Sequence, residues 1–190
     1  MRGAFSLRTS KKEESGLLTI GDYDRMHCSS FCTYRPSGYG RWDFRINGIS
    51  VGQPSLWKRN LTNAQYYSAY DCATSSSSPF ILGPSKEIMR IARSLKAKYN
   101  PLYKLVKRQQ FYINCDDEKT LMPVWFNAED VALPINPENY IIRIADVCLL
   151  AFQTNTEGGP DWVLGEPWFK QYCVVHDLNA RRIGFCASIM

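Results

Sequence analysis

The feature that most constrains this chain is the shortness of its apolar runs. In 190 residues, only one stretch repeats apolar residues at helical spacing: Ile88, Ile91, Ala92 and Leu95. Elsewhere three to five apolar or β-branched residues at a time are cut off by Gly, Pro, Asn or Asp, the pattern of many short strands joined by turns. Hydrophobic residues make up 45% and aromatic residues 13% of the chain, enough to bury one core. The expected fold is a mainly β single lobe with one helix and short helical turns.

The pieces can be placed along the chain. Leu17-Leu-Thr-Ile20 reads as a strand closed by Gly21-Asp22. Phe44-Arg-Ile46, Asn47-Gly48 and Ile49-Ser-Val51 read as a hairpin, because Asn-Gly favours the positive φ values of a type I′ turn. Gly83-Pro84-Ser85 introduces the helix, with Ser85 as its cap, Glu87 at its positive end and Asn100-Pro101 as its stop. Val124–Phe126, Val131–Leu133, Tyr140–Ile144 and Cys148–Phe152 are further strands. Trp162–Gly165 reads as a buried strand, Pro167–Tyr172 as a helical turn, and Cys173–Val175 with Ile183–Phe185 as a terminal hairpin. Ser75–Pro79 is a low-complexity loop, and residues 1–16 are polar enough to be expected as a disordered or truncated segment.

Charge and cysteines narrow the function. The net charge of +5 is scattered, and its densest cluster, Lys104, Lys107 and Arg108, lacks base-stacking neighbours or a nucleic-acid motif. The chain therefore has no nucleic-acid signature, and no run is long enough to span a bilayer. The seven cysteines, Cys28, Cys32, Cys72, Cys115, Cys148, Cys173 and Cys186, form no zinc frame, and His27 and His176 are at no zinc-ligand spacing. Disulfides are the better expectation, with at least one thiol left over. The N-terminus has no apolar secretory stretch, so the compartment stays open between a cytosol with free thiols and a fragment of a secreted protein. Asn60-Leu-Thr is a glycosylation sequon.

Taken in order, several of these pieces resemble the C-terminal lobe of pepsin-like aspartic proteases, and of nematode members in particular. Trp162-Val-Leu-Gly165, Phe169-x-x-Tyr172, Val175-x-Asp177 and Arg182-Ile-Gly-Phe185 resemble the family's ending. Leu17-Leu-Thr-Ile-Gly-Asp22, Trp42-x-Phe44, Ile49-x-Val51 and Gly83-Pro84-Ser85 resemble earlier strands and the helix after the active-site loop. The match covers residues 17–190 and places Asp71-Cys-Ala-Thr74 on the family's second catalytic motif.

The resemblance implies an aspartic endopeptidase lobe with Asp71 as one of two dyad aspartates. Thr74 and Ala73 would support the active-site loop, and Gly165 would lie on the run threaded behind it. It further implies a Cys115–Cys148 disulfide, a weaker Cys28–Cys173 pairing, no metal or organic cofactor, and a peptide or protein substrate. Cys32, Cys72 and Cys186 are left without an assigned pairing. Family members are commonly secreted or lysosomal. Three departures accompany the match: Ala73 replaces the family's glycine, Cys72 stands where Thr or Ser is usual, and the loop after Thr74 is longer. The chain carries one aspartate motif, so the partner carboxylate is expected from a missing N-terminal lobe or a second copy. The alternative is a catalytically inactive lobe that binds a peptide or a partner.

Overall fold

Strands dominate the regular structure in a computed structural model that describes residues 3–10, 15–38, 42–54, 69–99, 110–128 and 130–189. The terminal hairpin, Tyr172–Asp177 with Arg182–Ser188, forms the centre of a five-stranded sheet. Its first strand is buried almost throughout because both faces are covered. Val174 and Phe185 point into the main core, while Cys173, Val175 and Cys186 form a second, smaller cluster with Tyr23 and Tyr34 behind them. A continuous Cys-Val-Val run without polar alternation is what such a doubly covered strand requires.

That sheet corrects the expectation of disorder for the described residues among 1–16. Ala4–Thr9 is a strand antiparallel to Tyr172–Asp177, with Phe5 opposite His176 and Leu7 opposite Val174, and Gly16–Ile20 pairs on its other side. The mean polarity of this segment conceals its alternation. Phe5 and Leu7 face the core side, while Ser6 and Arg8 are buried on the reverse. Arg8 is balanced there by Asp24, with Nε to Oδ2 at 3.1 Å. Ordered structure thus starts well upstream of the boundary that the sequence suggested.

The expected Asn47-Gly48 hairpin is also corrected. Asp43–Ile46 pairs with Tyr70–Thr74, whereas Gly48–Val51 pairs with Val124–Ala128, so the chain passes from one sheet to another at Asn47. Neither Asn47 nor Gly48 has positive φ. The Asn47 N–H donates to the Asn127 carbonyl at 2.7 Å instead of closing a turn. The flanking Phe44, Ile46 and Ile49 are all buried in one core, and placing them there required longer-range partners than a hairpin supplies.

The helix spans Ser85–Ser94 and buries Ile88, Ile91 and Ala92. Pro84 occupies the position before it, and Ser85 makes no capping hydrogen bond. The helix ends before Asn100-Pro101, at a Schellman turn: Lys96 takes φ 55°, its N–H donates to Arg93 and the Ala97 N–H to Ala92. Aromatic edges knit the sheets to this core. The Phe126 ring lies 5.3 Å from Trp162 and 5.2 Å from Trp168, both tryptophans being fully buried. Among the described residues no helix is long and apolar enough to cross a membrane.

Candidate active-site loop

Tyr70–Thr74 lies between two strands of different origin. On one side Asp43–Ile46 runs antiparallel, placing Phe44 opposite Cys72 and Arg45 opposite Asp71. On the other, Trp162–Leu164 runs parallel, placing Trp162 beside Cys72 and Leu164 beside Thr74. Strand alternation then divides the residues: Cys72 and Phe44 point into the core, and Asp71 and Arg45 point out.

The loop after Thr74 is ordered by its own backbone and hydroxyls, despite its low complexity. Ser75 N–H donates to the Leu164 carbonyl at 3.0 Å, and Glu166 N–H to the Ser78 carbonyl at 2.7 Å. Ser78 Oγ both donates to the Phe80 carbonyl and accepts from the Phe80 N–H. Gly165 passes so close beneath this loop that a Cβ would stand 2.2 Å from the Phe80 carbonyl oxygen and 2.4 Å from that of Ser78. Only glycine fits that crossing. The chain returns through Ile81–Gly83, which runs antiparallel to Trp162–Leu164 and parallel to Phe152–Thr154.

Asp71 keeps about half of its side chain in solvent, at 53% exposure. It borders an open groove of about 510 Å³ that Arg35, Ser37, Asp43, Phe44 and Arg45 also line. Arg45 Nε donates to Asp71 Oδ1 at 3.0 Å, and the Asp71 N–H donates to Asp161 Oδ2 at 3.0 Å. Cys72, the next residue, is fully buried; burial, followed by the charges of Asp161 and Asp71, pushes its thiol well above the usual range. Ala73 and Thr74 are half-buried. Behind the strand the Tyr70 hydroxyl donates to Glu87 at 3.5 Å, and burial followed by the Glu87 charge raises its pKa.

Arg45 and Asp161 were not among the residues singled out from sequence. Alternation from Phe44 and Ile46 puts Arg45 on the outward face, yet its opposition to Asp71 depends on a strand pairing that the Asn-Gly signal obscured. Asp161 reaches Asp71 through the parallel pairing with Trp162–Leu164, which has no local signature.

Six of the seven cysteines are joined: Cys28–Cys173, Cys32–Cys186 and Cys115–Cys148. Cys72 is the free one. The Cys32–Cys186 bridge has no counterpart in the sequence reading. His176 is on the terminal hairpin but buried, its ring stacked on Phe5 at 4.3 Å. His27 Nδ1 lies 2.6 Å from Asp24 Oδ2. The sequon at Asn60 and the Lys104–Arg108 cluster fall outside the described residues.

Comparison with known proteins bears on the whole span. The profile of the family described as eukaryotic aspartyl protease matches residues 1–188. Pregnancy-associated glycoprotein 2 of Bos taurus is 29% identical over 189 residues, 98% of this chain but 46% of that protein. Aspartic protease 10 of Caenorhabditis elegans is 31% identical over 180 residues, 89% of this chain and 37% of the relative. Pepsin A of Bos taurus is 27% identical over 185 residues, 95% of this chain and 46% of the relative. The chain thus spans less than half the length of these relatives. With nearly every residue inside the matched span, the chain belongs to the eukaryotic aspartyl protease family.

Proposed function

We propose that this chain supplies one half of the catalytic site of an aspartic endopeptidase, with Asp71 as one of the two dyad carboxylates. The observation that carries this reading is the presentation of Asp71. It is held on a strand fixed from both sides, its carboxylate half in solvent over an open groove, while the next side chain is locked in the core. Thr74, Ala73 and Gly165 support the loop around it. Peptide hydrolysis by such a pair needs one carboxylate as base toward a water and the other as acid toward the scissile carbonyl. Asp71 cannot fill both roles. The second carboxylate would come from an N-terminal half like the one the relatives' lengths leave room for, or from a second copy with its Asp71 facing the first. The substrate class is a peptide, and the scheme uses no metal or organic cofactor. Three disulfides support an oxidising compartment.

Two observations favour a second reading, a catalytically inactive lobe that binds peptides. Arg45 occupies Asp71 Oδ1, an oxygen the family's mechanism needs for water and proton transfer. Ala73 adds a methyl group where the family has glycine. Cleavage of a quenched fluorescent peptide library at acidic pH, by the chain and by Asp71→Asn, separates the readings. Cleavage that disappears in the variant supports the dyad. Absence of cleavage in both, with peptide affinity retained in Asp71→Asn, supports the binding lobe.

A further inference from the structure

Two of the three disulfides are stacked on neighbouring strands. Register places Cys173 directly opposite Cys186 in the terminal hairpin, and Cys186 directly opposite Cys32 on the adjoining edge strand, Cys28–Pro36. The bonds formed are Cys32–Cys186 and Cys28–Cys173, with Cα separations of 4.1 and 6.0 Å. The pair left unbonded, Cys173 with Cys186, sits at cross-strand positions whose Cα atoms lie roughly 4.5–5.5 Å apart in antiparallel sheets. That is inside the roughly 4.4–6.8 Å that a disulfide spans. All four residues belong to one small cluster beside Tyr23 and Tyr34.

Access to these sulfurs is unequal. Cys28, Cys173 and Cys186 are buried at 2%, 0% and 0% exposure. Cys32 alone is partly open, on the outermost strand of its sheet next to exposed Phe31. A thiol arriving from solvent therefore meets the cluster at Cys32.

We propose that Cys32 is a thiol-reactive site, taking small monothiols of the glutathione class, and that its modification is relayed through Cys186 and Cys173 to release Cys28. The incoming thiolate bonds to Cys32 Sγ and breaks Cys32–Cys186, expelling the Cys186 thiolate into the buried cluster. Cys186 attacks Cys173 Sγ, the Cys173–Cys186 bond forms, and Cys28–Cys173 breaks. Cys28 leaves as a thiolate and takes a proton from solvent. One incoming thiol yields one mixed disulfide, one rearranged bridge and one free thiol, with no net oxidation or reduction. The consequence is mechanical: Cys28 begins the edge strand and directly follows residues 21–27, so its release removes the covalent tie between that segment and the sheet's central strand. Cys115–Cys148 is also partly open at Cys115, but no second bridge stands beside it, so thiolation there can only reverse.

The test is disulfide mapping after exposure of the native chain to reduced glutathione near neutral pH. Acid quenching and alkylation of all free thiols under denaturing conditions follow, with Cys72 labelled in every sample as the internal standard. The expected product carries one glutathione on Cys32, an alkyl group on Cys28 and a Cys173–Cys186 bridge. An adduct on Cys32 with Cys186 alkylated and Cys28–Cys173 intact overturns the relay, and absence of any Cys32 adduct overturns the site. In the Cys32→Ser/Cys186→Ser double variant both relay sulfurs are gone without leaving a new free thiol, and Cys28–Cys173 is expected to survive the same treatment. Release of Cys28 at the wild-type rate in that variant overturns the relay as well. The wild-type map decides alone should the variant not fold.

Discussion

Arg8 and Asp24 are joined by a 3.1 Å ion pair with both side chains more than nine-tenths buried, on the face of the sheet opposite the main core. Asp24 also accepts from His27 Nδ1 at 2.6 Å and from the Met26 N–H at 3.0 Å, so an arginine, a histidine and a backbone amide converge on one carboxylate. Burial works to raise the Asp24 pKa, but the hydrogen bonds from His27, Met26 and Arg8 outweigh it and hold the carboxyl below its ordinary value.

Removing that carboxylate's charge is expected to be costly. Asp24→Asn leaves the buried Arg8 guanidinium without a counter-charge and should lower unfolding free energy by about 3 kcal/mol, read from urea denaturation at neutral pH. Because the folded-state pKa is depressed, the Asp24 contribution is full above the unfolded carboxylate pKa and fades as pH falls through the folded value. The gap between wild type and Asp24→Asn should therefore narrow in strong acid.

His176 gives a separate pH dependence at milder acidity. Burial lowers its pKa from 6.5 to about 4, its ring lying between Phe5 and Trp42 at 4.3 and 4.8 Å. The unfolded chain binds the proton more readily, so stability falls as pH drops from the unfolded pKa toward the folded one. Between pH 7 and 5 this costs about 2 kcal/mol. In His176→Leu, unfolding free energies measured at both pH values should lie closer together than in wild type by that amount, whatever the variant's absolute stability.

Gly165→Ala tests the crossing beneath the Ser75–Phe80 loop. The new methyl would meet two backbone carbonyl oxygens at 2.2 and 2.4 Å. The backbone there cannot yield as a flexible side chain would. A loss of about 3 kcal/mol or more is expected, seen as a lowered thermal midpoint or loss of soluble protein. Gly48→Ala is the matched control: nothing lies within 4 Å of a Cβ at that position, and its effect should stay within about 1 kcal/mol.

The mainly β architecture was legible because the apolar runs are short and because residues such as Val174, Ile183 and Phe185 announce strands locally. Pairing was less legible. Asn47-Gly48 carries a strong hairpin signal, yet Phe44 finds its partner in Cys72, and Ile49 finds its partner in Phe126. Tertiary burial overrode a local preference there. Ala4–Thr9 was missed because Ser6 and Arg8 look solvated until Asp24, brought in from another segment, provides for the arginine. Around Asp71 the same limit applies: the sequence reads it as a loop residue, whereas it stands on the strand Tyr70–Thr74, and Arg45 and Asp161 approach it through pairings that only the assembled sheet reveals.

The hydrogen-bonding of Ala4–Thr9 to Tyr172–Asp177 carries a consequence for how the chain is made. Ala4–Thr9 leaves the ribosome well before Tyr172–Asp177, and until then it has no partner in this sheet apart from the short neighbour Gly16–Ile20. The loop it then closes is the longest among the described strand pairings, so its closure entropy is the largest of them. Phe5 and Leu7 must wait in an unpaired, apolar edge during that interval, and nascent-chain experiments that arrest translation before Tyr172 should find this segment open to proteases and chaperones, becoming protected only once the last hairpin is released.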